Sequence, residues 1–165
     1  MNSLGPIRIC QQLLPMLLSR PEAHVLNVWS VMGLCGFPKF SAYCASTFAL
    51  VGYSESLRAE HLGSRLGVTA VCPGFVRTAF IESIPTARGA RHRPSVPAWL
   101  RTTPDMVARK SVKAIRCNRG SVLVTPSAHL TWRLKRFVPG FMNCHVFGED
   151  VAFQLPTFVE LATET

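Results

Sequence analysis

Acidic residues are scarce in this chain. Nine of its 165 residues are Asp or Glu, against eighteen Lys or Arg, which gives a formal net charge of +9. Between positions 88 and 136, twelve basic residues accompany a single acid, Asp105. Such a segment could form a basic face for nucleic acid, acidic lipid or a phosphorylated cofactor. No aromatic-interleaved or recognition-helix pattern accompanies the charge, so we expect a solvated surface and no nucleic-acid partner.

Long apolar runs, paired cysteines and internal repeats are also missing. No apolar run reaches the roughly eighteen residues that a membrane span requires, so we expect no transmembrane segment. The six cysteines contain no C-x-x-C pair, which gives no reason to expect a metal site and fits a reduced setting, so we predict a cytoplasmic protein. The first twenty residues lack acids, as transit peptides do, but they are not rich in serine, and we expect a helix there.

The remaining composition is that of a folded domain. Hydrophobic residues make up 48% of the chain and charged residues only 16%, which excludes a disordered chain. The length corresponds to one domain with a sizeable core. We assign residues 1–137 to that domain and leave 138–165 as a tail without a clear element.

The segment that organises the chain runs from residue 24 to residue 62. It reads as a buried strand that ends at Ser30, a loop with Gly33, and a long helix from 42 to 62 that opens with Ala42-Tyr43. A serine at a strand tip and a tyrosine at a helix start can meet over one small substrate. Such a meeting is typical of the ligand crevice at the carboxyl edge of an open α/β sheet.

This segment resembles the catalytic segment of the short-chain dehydrogenase/reductase family. Asn27-Val28-Trp29-Ser30 matches the family's Asn-x-x-Ser strand end, and Tyr43 follows Ser30 by the expected thirteen residues. The resemblance implies that Tyr43 is the general acid/base and that Ser30 holds the oxygen of an alcohol or carbonyl substrate. Asn2, in an Asn-x-x-Gly match with Gly5, would hold a water at a helix kink.

One position departs from the family's motif. Where the family's Tyr-x-x-x-Lys has its lysine, this chain has Thr47. A free tyrosine titrates near pH 10, so only on the order of 0.1% is ionised at pH 7, and the family's lysine lowers that pKa. Because a threonine hydroxyl is neutral, the resemblance implies an oxidoreductase whose activity is doubtful in this chain.

A second match lies after the next predicted strand, residues 68–72. Pro73-Gly74-Phe75-Val76-Arg77-Thr78 matches the family's Pro-Gly motif. By resemblance, Pro73, Gly74 and Val76 line the nicotinamide pocket and Thr78 lies near the carboxamide or phosphate, so the implied cofactor is NAD or NADP. Residues 80–103 occupy the place of the family's variable substrate lid, so the sequence does not indicate which substrate is bound.

The family's cofactor half has no counterpart in this sequence. Neither G-x-G-x-x-G nor the looser TG-x-x-x-G-x-G occurs, although a glycine-rich turn at a helix start normally receives the pyrophosphate. We therefore predict an α/β fold: the carboxyl-terminal half of a Rossmann-like, doubly wound parallel sheet flanked by helices. The expected function is that of a partial oxidoreductase.

Two other functions are compatible with the sequence. A catalytically dead chain could act as an interaction partner, forming a homodimer or heterodimer through the helices at 3–20 and 42–62. The basic segment at 88–136 could instead bind an acidic surface. We also expect a helix after Thr103-Pro104-Asp105, a strand at 121–125 and a short helix at 128–137.

Overall fold

The computed structural model describes residues 3–38, 40–77 and 101–141. Asn2, Thr78, most of the predicted lid and most of the predicted tail lie outside these residues. The elements follow in chain order: α1 (Leu4–Leu18), β1 (Ala23–Val28), a 3-10 turn (Val31–Gly33), α2 (Ser41–Glu60), β2 (Leu66–Cys72), β3 (Phe75–Val76), β4 (Arg101–Thr102), α3 (Pro104–Arg116), β5 (Ser121–Leu123), α4 (Pro126–Phe137) and α5 (Pro139–Phe141).

The main sheet is parallel, as predicted. Its order is β1-β2-β5, with Val25 opposite Val68 on one side of β2 and Ala70 opposite Ser121 on the other. Every residue of the central strand β2 is buried, which explains why this strand reads as a nearly continuous apolar run. The chain therefore folds as an α/β protein with a parallel sheet flanked by helices.

Helices α1 and α2 supply most of the core on one face of the sheet. Cys10 of α1 and Leu57 of α2 pack with Val25 and Val68 in one cluster. A second cluster, nearer the carboxyl ends of the strands, contains Trp29. Trp29 is 6% exposed, which confirms that it belongs to the core.

The two prolines of α1 do not interrupt it. Pro6 falls in the first turn, where a missing N–H removes no helical hydrogen bond. Pro15 lies in the last turn, and the helix ends three residues later at Leu18. Any shortening that Pro15 causes is therefore confined to the place where the helix already stops.

The buried side of α2 differs from the one that its apolar residues indicate. The three- and four-residue spacing of Ala45, Ala49, Leu50, Tyr53 and Leu57 predicts that all five are buried. Leu50 and Leu57 are buried and Tyr53 is half-buried, but Ala45 and Ala49 are exposed. Three small or polar side chains take their place: Cys44, Thr47 and Ser54. Burial of these hydroxyls is tolerated because Thr47 and Ser54 each donate to a carbonyl of their own helix.

Helix α3 shows the same kind of shift. Its start is as predicted, with the Thr103 hydroxyl accepting a hydrogen bond from the Met106 N–H at 3.3 Å. Met106 and Val112, expected in the core, are exposed, and the buried positions are Ser111 and Ala114. Small residues here let the helix lie close to the sheet.

One arginine forms hydrogen bonds that link several elements at the amino-terminal edge of the sheet. Arg58 of α2 donates from Nη1 to the Val68 carbonyl and to Oδ1 of Asn118, both at 2.8 Å. Its Nη2 donates to the Asn118 carbonyl at 2.7 Å. These bonds join α2, β2 and the turn between α3 and β5.

Short parts of the predicted lid and tail lie within the described residues. Arg101–Thr102, at the end of the lid, form β4 and pair in parallel with β3, with Phe75 opposite Arg101. Pro139–Phe141, in the predicted tail, form a single helical turn, α5. In the described ranges, no helix is both long enough and apolar enough to cross a bilayer.

Candidate active site

Three of the predicted site residues, Ser30, Pro73 and Gly74, directly follow strands that end at the carboxyl-terminal edge of the sheet, whereas Asn2 and Thr78 lie outside the described residues. Because β1 and β2 are parallel, the residues that follow them, Ser30 and Pro73-Gly74, emerge at the same edge. Tyr43 is in the first turn of α2, which packs against the 3-10 turn after Ser30. This is the edge at which open α/β sheets bind their ligands.

Ser30 starts the turn that follows β1. Its backbone is extended, and its Oγ accepts a hydrogen bond from the Met32 N–H at 3.3 Å. Its carbonyl accepts from the Gly33 N–H at 2.8 Å. The Ser30 hydroxyl donates to no group among the described residues, so its proton is available for a substrate oxygen.

Gly33 allows the turn to lie directly on α2. A Cβ at this position would be 2.9 Å from Cε3 of Trp29 and 3.2 Å from the Thr47 carbonyl oxygen. Both distances are too short for an unstrained contact, so any side chain would move the turn away from the helix. The family's glycine at this position therefore has a physical reason in this chain: it keeps Ser30 close to the helix that bears Tyr43.

Tyr43 and Thr47 lie one helical turn apart on α2. Tyr43 is half-buried, and its hydroxyl makes no hydrogen bond within the described residues. Thr47 is buried, and its Oγ1 lies 3.0 Å from the carbonyl oxygens of both Tyr43 and Cys44. The hydroxyl at position 47 is thus used by its own helix, and the side chain places no positive charge beside the tyrosine.

The Pro-Gly loop after β2 packs against the start of α4. Gly74 has a φ of +72°, and a Cβ there would collide with Oγ1 of Thr125. Thr125 in turn accepts a hydrogen bond from the Ala128 N–H at 3.2 Å and so caps α4. Pro73 and Val76 are both half-buried, and Val76 belongs to β3. The absent side chain of Gly74 therefore makes room for a helix cap.

Three buried cysteines lie in this part of the fold: Cys35, Cys44 and Cys72. Their spacing in the sequence gave no indication that they would be grouped here. Burial raises the pKa of Cys35 to about 11 and that of Cys72 to about 12. Cys44, next to Tyr43, accepts a hydrogen bond from the Phe37 N–H at 3.4 Å. Cys35 and Cys72 therefore stay protonated at neutral pH and act as small apolar groups, not as nucleophiles.

The position of Asn27 inside a strand predicts that its side chain bonds to neighbouring backbone, but it bonds to side chains instead. Its Nδ2 donates to the Ser54 hydroxyl at 2.9 Å, and Ser54 donates to the Leu50 carbonyl at 2.7 Å. The Cys10 thiol lies 4.0 Å from its Oδ1. Asn27 thus joins β1 to α1 and α2 beneath the site and has a structural role.

Comparisons with known proteins identify the same class of protein. A family model described as short chain dehydrogenase matches residues 1–89. Mouse 17-beta-hydroxysteroid dehydrogenase 13 is 33% identical over 150 residues, which cover 89% of this chain and 46% of the relative. An uncharacterized oxidoreductase of Escherichia coli K12, YbbO, is 31% identical over 84% of this chain and 53% of its own length. The chain thus spans about half the length of these relatives.

Solved structures agree on the fold. A short chain dehydrogenase from Burkholderia cenocepacia in complex with NADP superposes with a TM-score of 0.68 at 20% identity, covering 82% of this chain and 53% of that one. A short chain dehydrogenase/reductase from Burkholderia phymatum in complex with NAD gives a TM-score of 0.66 at 25% identity, with coverages of 82% and 54%. In both cases the shared part is again about half of the longer chain.

Proposed function

Because the chain belongs to the short chain dehydrogenase family, we propose that it carries the catalytic half of an oxidoreductase that interconverts an alcohol and a carbonyl. The observation that carries the proposal is the placement of Ser30 and Tyr43 at one edge of the sheet, with the Gly33 turn pressed against α2. Neither hydroxyl donates to another described residue, so each is free to donate to a substrate oxygen.

Tyr43 and Ser30 have different proposed roles at the substrate oxygen. In reduction, a bound NADH or NADPH would supply a hydride to the carbonyl carbon. The Tyr43 O–H gives its proton to the carbonyl oxygen, while the Ser30 O–H donates a hydrogen bond that holds the oxygen in place. In oxidation, the proton returns to Tyr43. The return requires a tyrosinate, which is rare at neutral pH unless a cation lies nearby. Thr47 supplies no cation, so we expect proton transfer in this chain to be slow.

The implied cofactor does not fit the residues present. By resemblance, Pro73, Gly74, Val76 and Thr78 would contact the nicotinamide end of NAD or NADP, the two cofactors held by the Burkholderia structures. The space beside Gly74 is filled by Thr125, and the sequence has no glycine-rich turn for the pyrophosphate. We therefore propose that cofactor binding needs a polypeptide segment outside this sequence.

The test is to supply such a segment. The chain is co-expressed with the amino-terminal half of the Escherichia coli relative, and NADH and NADPH consumption is followed with a panel of carbonyl compounds that includes a 17-ketosteroid. We expect slow consumption by the pair and at least a tenfold loss in the Tyr43→Phe variant. Tyr53→Phe is the matched control, since this tyrosine lies on the same helix with its hydroxyl buried away from the edge and without a normal hydrogen bond.

The outcome that would overturn the proposal is equal loss in both tyrosine variants, or consumption that is unchanged when Tyr43 is replaced. Consumption by the chain alone would contradict the part of the proposal that concerns the missing cofactor segment.

A second function, an interaction partner without turnover, is favoured by the outer face of α2. This face carries five small exposed residues at helical spacing: Ala45, Ala49, Gly52, Ser56 and Ala59. The neighbouring helix α1 exposes Ile9, Leu13 and Met16. Small residues let a second helix approach closely and the larger ones give it apolar area. We propose that such pairing is the route to a homodimer or heterodimer.

A further inference from the structure

Helix α4 is fixed to the fold along one side. Ala128 is fully buried in the cluster that contains Trp29, and the Thr125 hydroxyl caps the start of the helix. The residues on the opposite side of α4 therefore have a fixed position on the surface of the molecule.

Large apolar side chains are exposed on that surface and at the end of the helix. They are Leu130, Trp132, Phe137 and Val138. The Trp132 and Phe137 rings are 41% and 74% exposed, and they pack edge to face with their centroids 6.4 Å apart. Single exposed apolar residues are common, but a group of this kind marks an interaction surface.

Basic side chains lie among these apolar ones. Leu130, Arg133 and Phe137 follow one another at steps of three and four residues, so they share one row along α4. Arg136 is one turn after Arg133, and both arginines are exposed. We call six residues the α4 face: Leu130, Trp132, Arg133, Arg136, Phe137 and Val138.

The charges of the two arginines are not neutralised by the surrounding chain. From residue 106 to residue 148 the sequence contains no Asp or Glu. In the ranges that the structure describes, neither Arg133 nor Arg136 makes a hydrogen bond or an ion pair through its side chain. Both guanidinium groups can therefore bind a partner that brings negative charge.

We propose that the α4 face docks on the surface of an anionic phospholipid bilayer, with α4 lying in the plane of the interface. Lipid phosphates accept hydrogen bonds from arginine, while Trp and Phe enter the boundary between headgroups and acyl chains. The charge pattern of the sequence alone predicts a solvated surface. The exposed aromatic pair beside the arginines favours a lipid surface instead.

Two other occupants fit the α4 face less well. A second copy of the chain would bring another net charge of +9 to a face that is already basic. A nucleic acid would stack its bases on open aromatic faces, but the edge-to-face packing of Trp132 and Phe137 covers one of those faces. Leu130 and Val138 offer nothing to a sugar-phosphate backbone, whereas a bilayer can bury them.

The proposed docking does not depend on the chemistry of Ser30 and Tyr43, so its test measures binding without catalysis. The full chain is mixed with sucrose-loaded vesicles of phosphatidylcholine, with or without phosphatidylserine, and the bound fraction is measured by sedimentation. We expect a partition coefficient at least tenfold higher with phosphatidylserine, and a loss of this difference in about 1 M NaCl, where the Debye length is about 3 Å. Equal binding to both vesicles in low salt would overturn the proposal.

Charge reversal separates the α4 face from the overall basic charge. The test variant combines Arg133→Glu with Arg136→Glu, and the matched control combines Arg109→Glu with Lys113→Glu at exposed positions of α3. Both variants change the net charge equally. Each basic residue at an anionic surface changes binding by about fivefold, so we expect at least a tenfold loss for the first variant and less than threefold for the control. Equal losses would show binding through overall charge and would overturn the proposal.

Trp132 reports whether the α4 face enters the bilayer. Phosphatidylcholine brominated on its acyl chains is added to the anionic vesicles, because bromine quenches the fluorescence of nearby tryptophan. We expect quenching in the parent chain and at most half of it in Trp132→Phe. Quenching that is unchanged by this substitution would overturn the proposal, and the substitution keeps an aromatic ring at an exposed position.

A neutral substitution measures the apolar contribution. Phe137→Ala leaves the charge unchanged, and we expect binding to weaken about fivefold or more because the phenyl ring no longer enters the interface. Leu62→Ala is the matched control, since Leu62 is 78% exposed and lies outside the α4 face. Circular dichroism checks that both variants fold. Equal effects of the two substitutions would contradict the docking of this face.

Other occupants of the α4 face would give different results. Binding to a DNA duplex without binding to the vesicles would overturn the proposal in favour of a nucleic acid. Residues 142–165 carry four acids and no Lys or Arg. If the chain covered its own α4 face with them, the anionic vesicles would not bind, and this result would overturn the proposal as well.

Discussion

At the scale of single residues, an absent Cβ brings the two halves of the candidate site together. Gly33 lies against the Trp29 ring and the Thr47 carbonyl, so the turn that begins at Ser30 and the helix that carries Tyr43 are in direct contact. The neighbouring Gly36 has no such contact, since nothing lies within 4 Å of the place where its Cβ would be. The two glycines of one loop therefore differ in function.

We predict that Gly33→Ala lowers the free energy of unfolding by about 1–3 kcal/mol, because the new methyl group must displace a buried ring and a helix. Gly36→Ala is the matched control and should change it by less than about 0.5 kcal/mol. Urea unfolding followed by tryptophan fluorescence measures both. Equal effects of the two substitutions would show that the close approach at Gly33 has no energetic consequence.

A histidine links neighbouring strands at the opposite edge of the sheet. His24 Nε2 lies 2.8 Å from the Thr69 hydroxyl, which donates to the Arg119 carbonyl at 2.6 Å. Because the Thr69 proton is used in that bond, Nε2 of His24 carries a proton and donates. Burial, aided by the charge of Arg58 and opposed by Glu22, holds the His24 pKa below its usual value of 6.5.

We predict that this histidine makes the fold sensitive to mild acid. The unfolded chain takes up the proton near pH 6.5 and the folded chain only at lower pH, so stability falls as the pH drops through about 6.5. His24→Gln keeps a donor for Thr69 but cannot titrate, and its unfolding free energy should change less between pH 7.5 and 5.5. Urea titrations at the two pH values provide the comparison, and parallel curves for both proteins would refute the prediction.

At the scale of elements, the question is whether the outer face of α2 is a dimer interface or an ordinary exposed surface. We predict that the chain dimerises and that Ala49→Arg abolishes the dimer, because a long charged side chain prevents close helix approach. Ala108→Arg, at an exposed position of α3, should leave the dimer intact. Sedimentation velocity measures the assembly state, and a monomeric parent chain would end the hypothesis of pairing through α2.

The elements themselves were largely predictable from the sequence, but their buried faces were not. The apolar run of β2 and the Thr103-Pro104-Asp105 start of α3 each specify their element locally, and both were found where expected. The burial of Thr47 and Ser54 could not be read in the same way. Their hydroxyls are satisfied by helix carbonyls, so they become compatible with the core only after the helix exists.

Of the candidate site, only the residues that belong to a motif with a fixed spacing were predictable. Spacing placed Ser30 and Tyr43, whereas the contact of Gly74 with Thr125 joins positions fifty-one residues apart and leaves no local signal. Likewise, the sequence shows how many cysteines there are, but not which of them lie together beside the site. Contacts between distant segments follow from the packed fold, and a single sequence gives no local signal for them.

At the scale of the whole molecule, the lack of a glycine-rich pyrophosphate motif in this sequence matters more for activity than any single residue. We predict that Thr47→Lys does not give the isolated chain any NADH or NADPH consumption, because the sequence contains no glycine-rich turn of the kind that receives the pyrophosphate. The substitution should also destabilise the fold, since position 47 is buried and an ammonium group there is costly. Absorbance at the nicotinamide wavelength and thermal unfolding measure the two effects, and consumption by this variant would refute the first.

The shared space of Gly74 and Thr125 has a consequence for how such chains diverge. A larger residue at 125 is blocked by the loop, and any residue with a side chain at 74 is blocked by the threonine. A substitution at either position alone would remove the cap of α4 or displace the loop at Pro73. The two sites should be inherited as a pair, so that a substitution at one marks where a compensating change at the other must be sought.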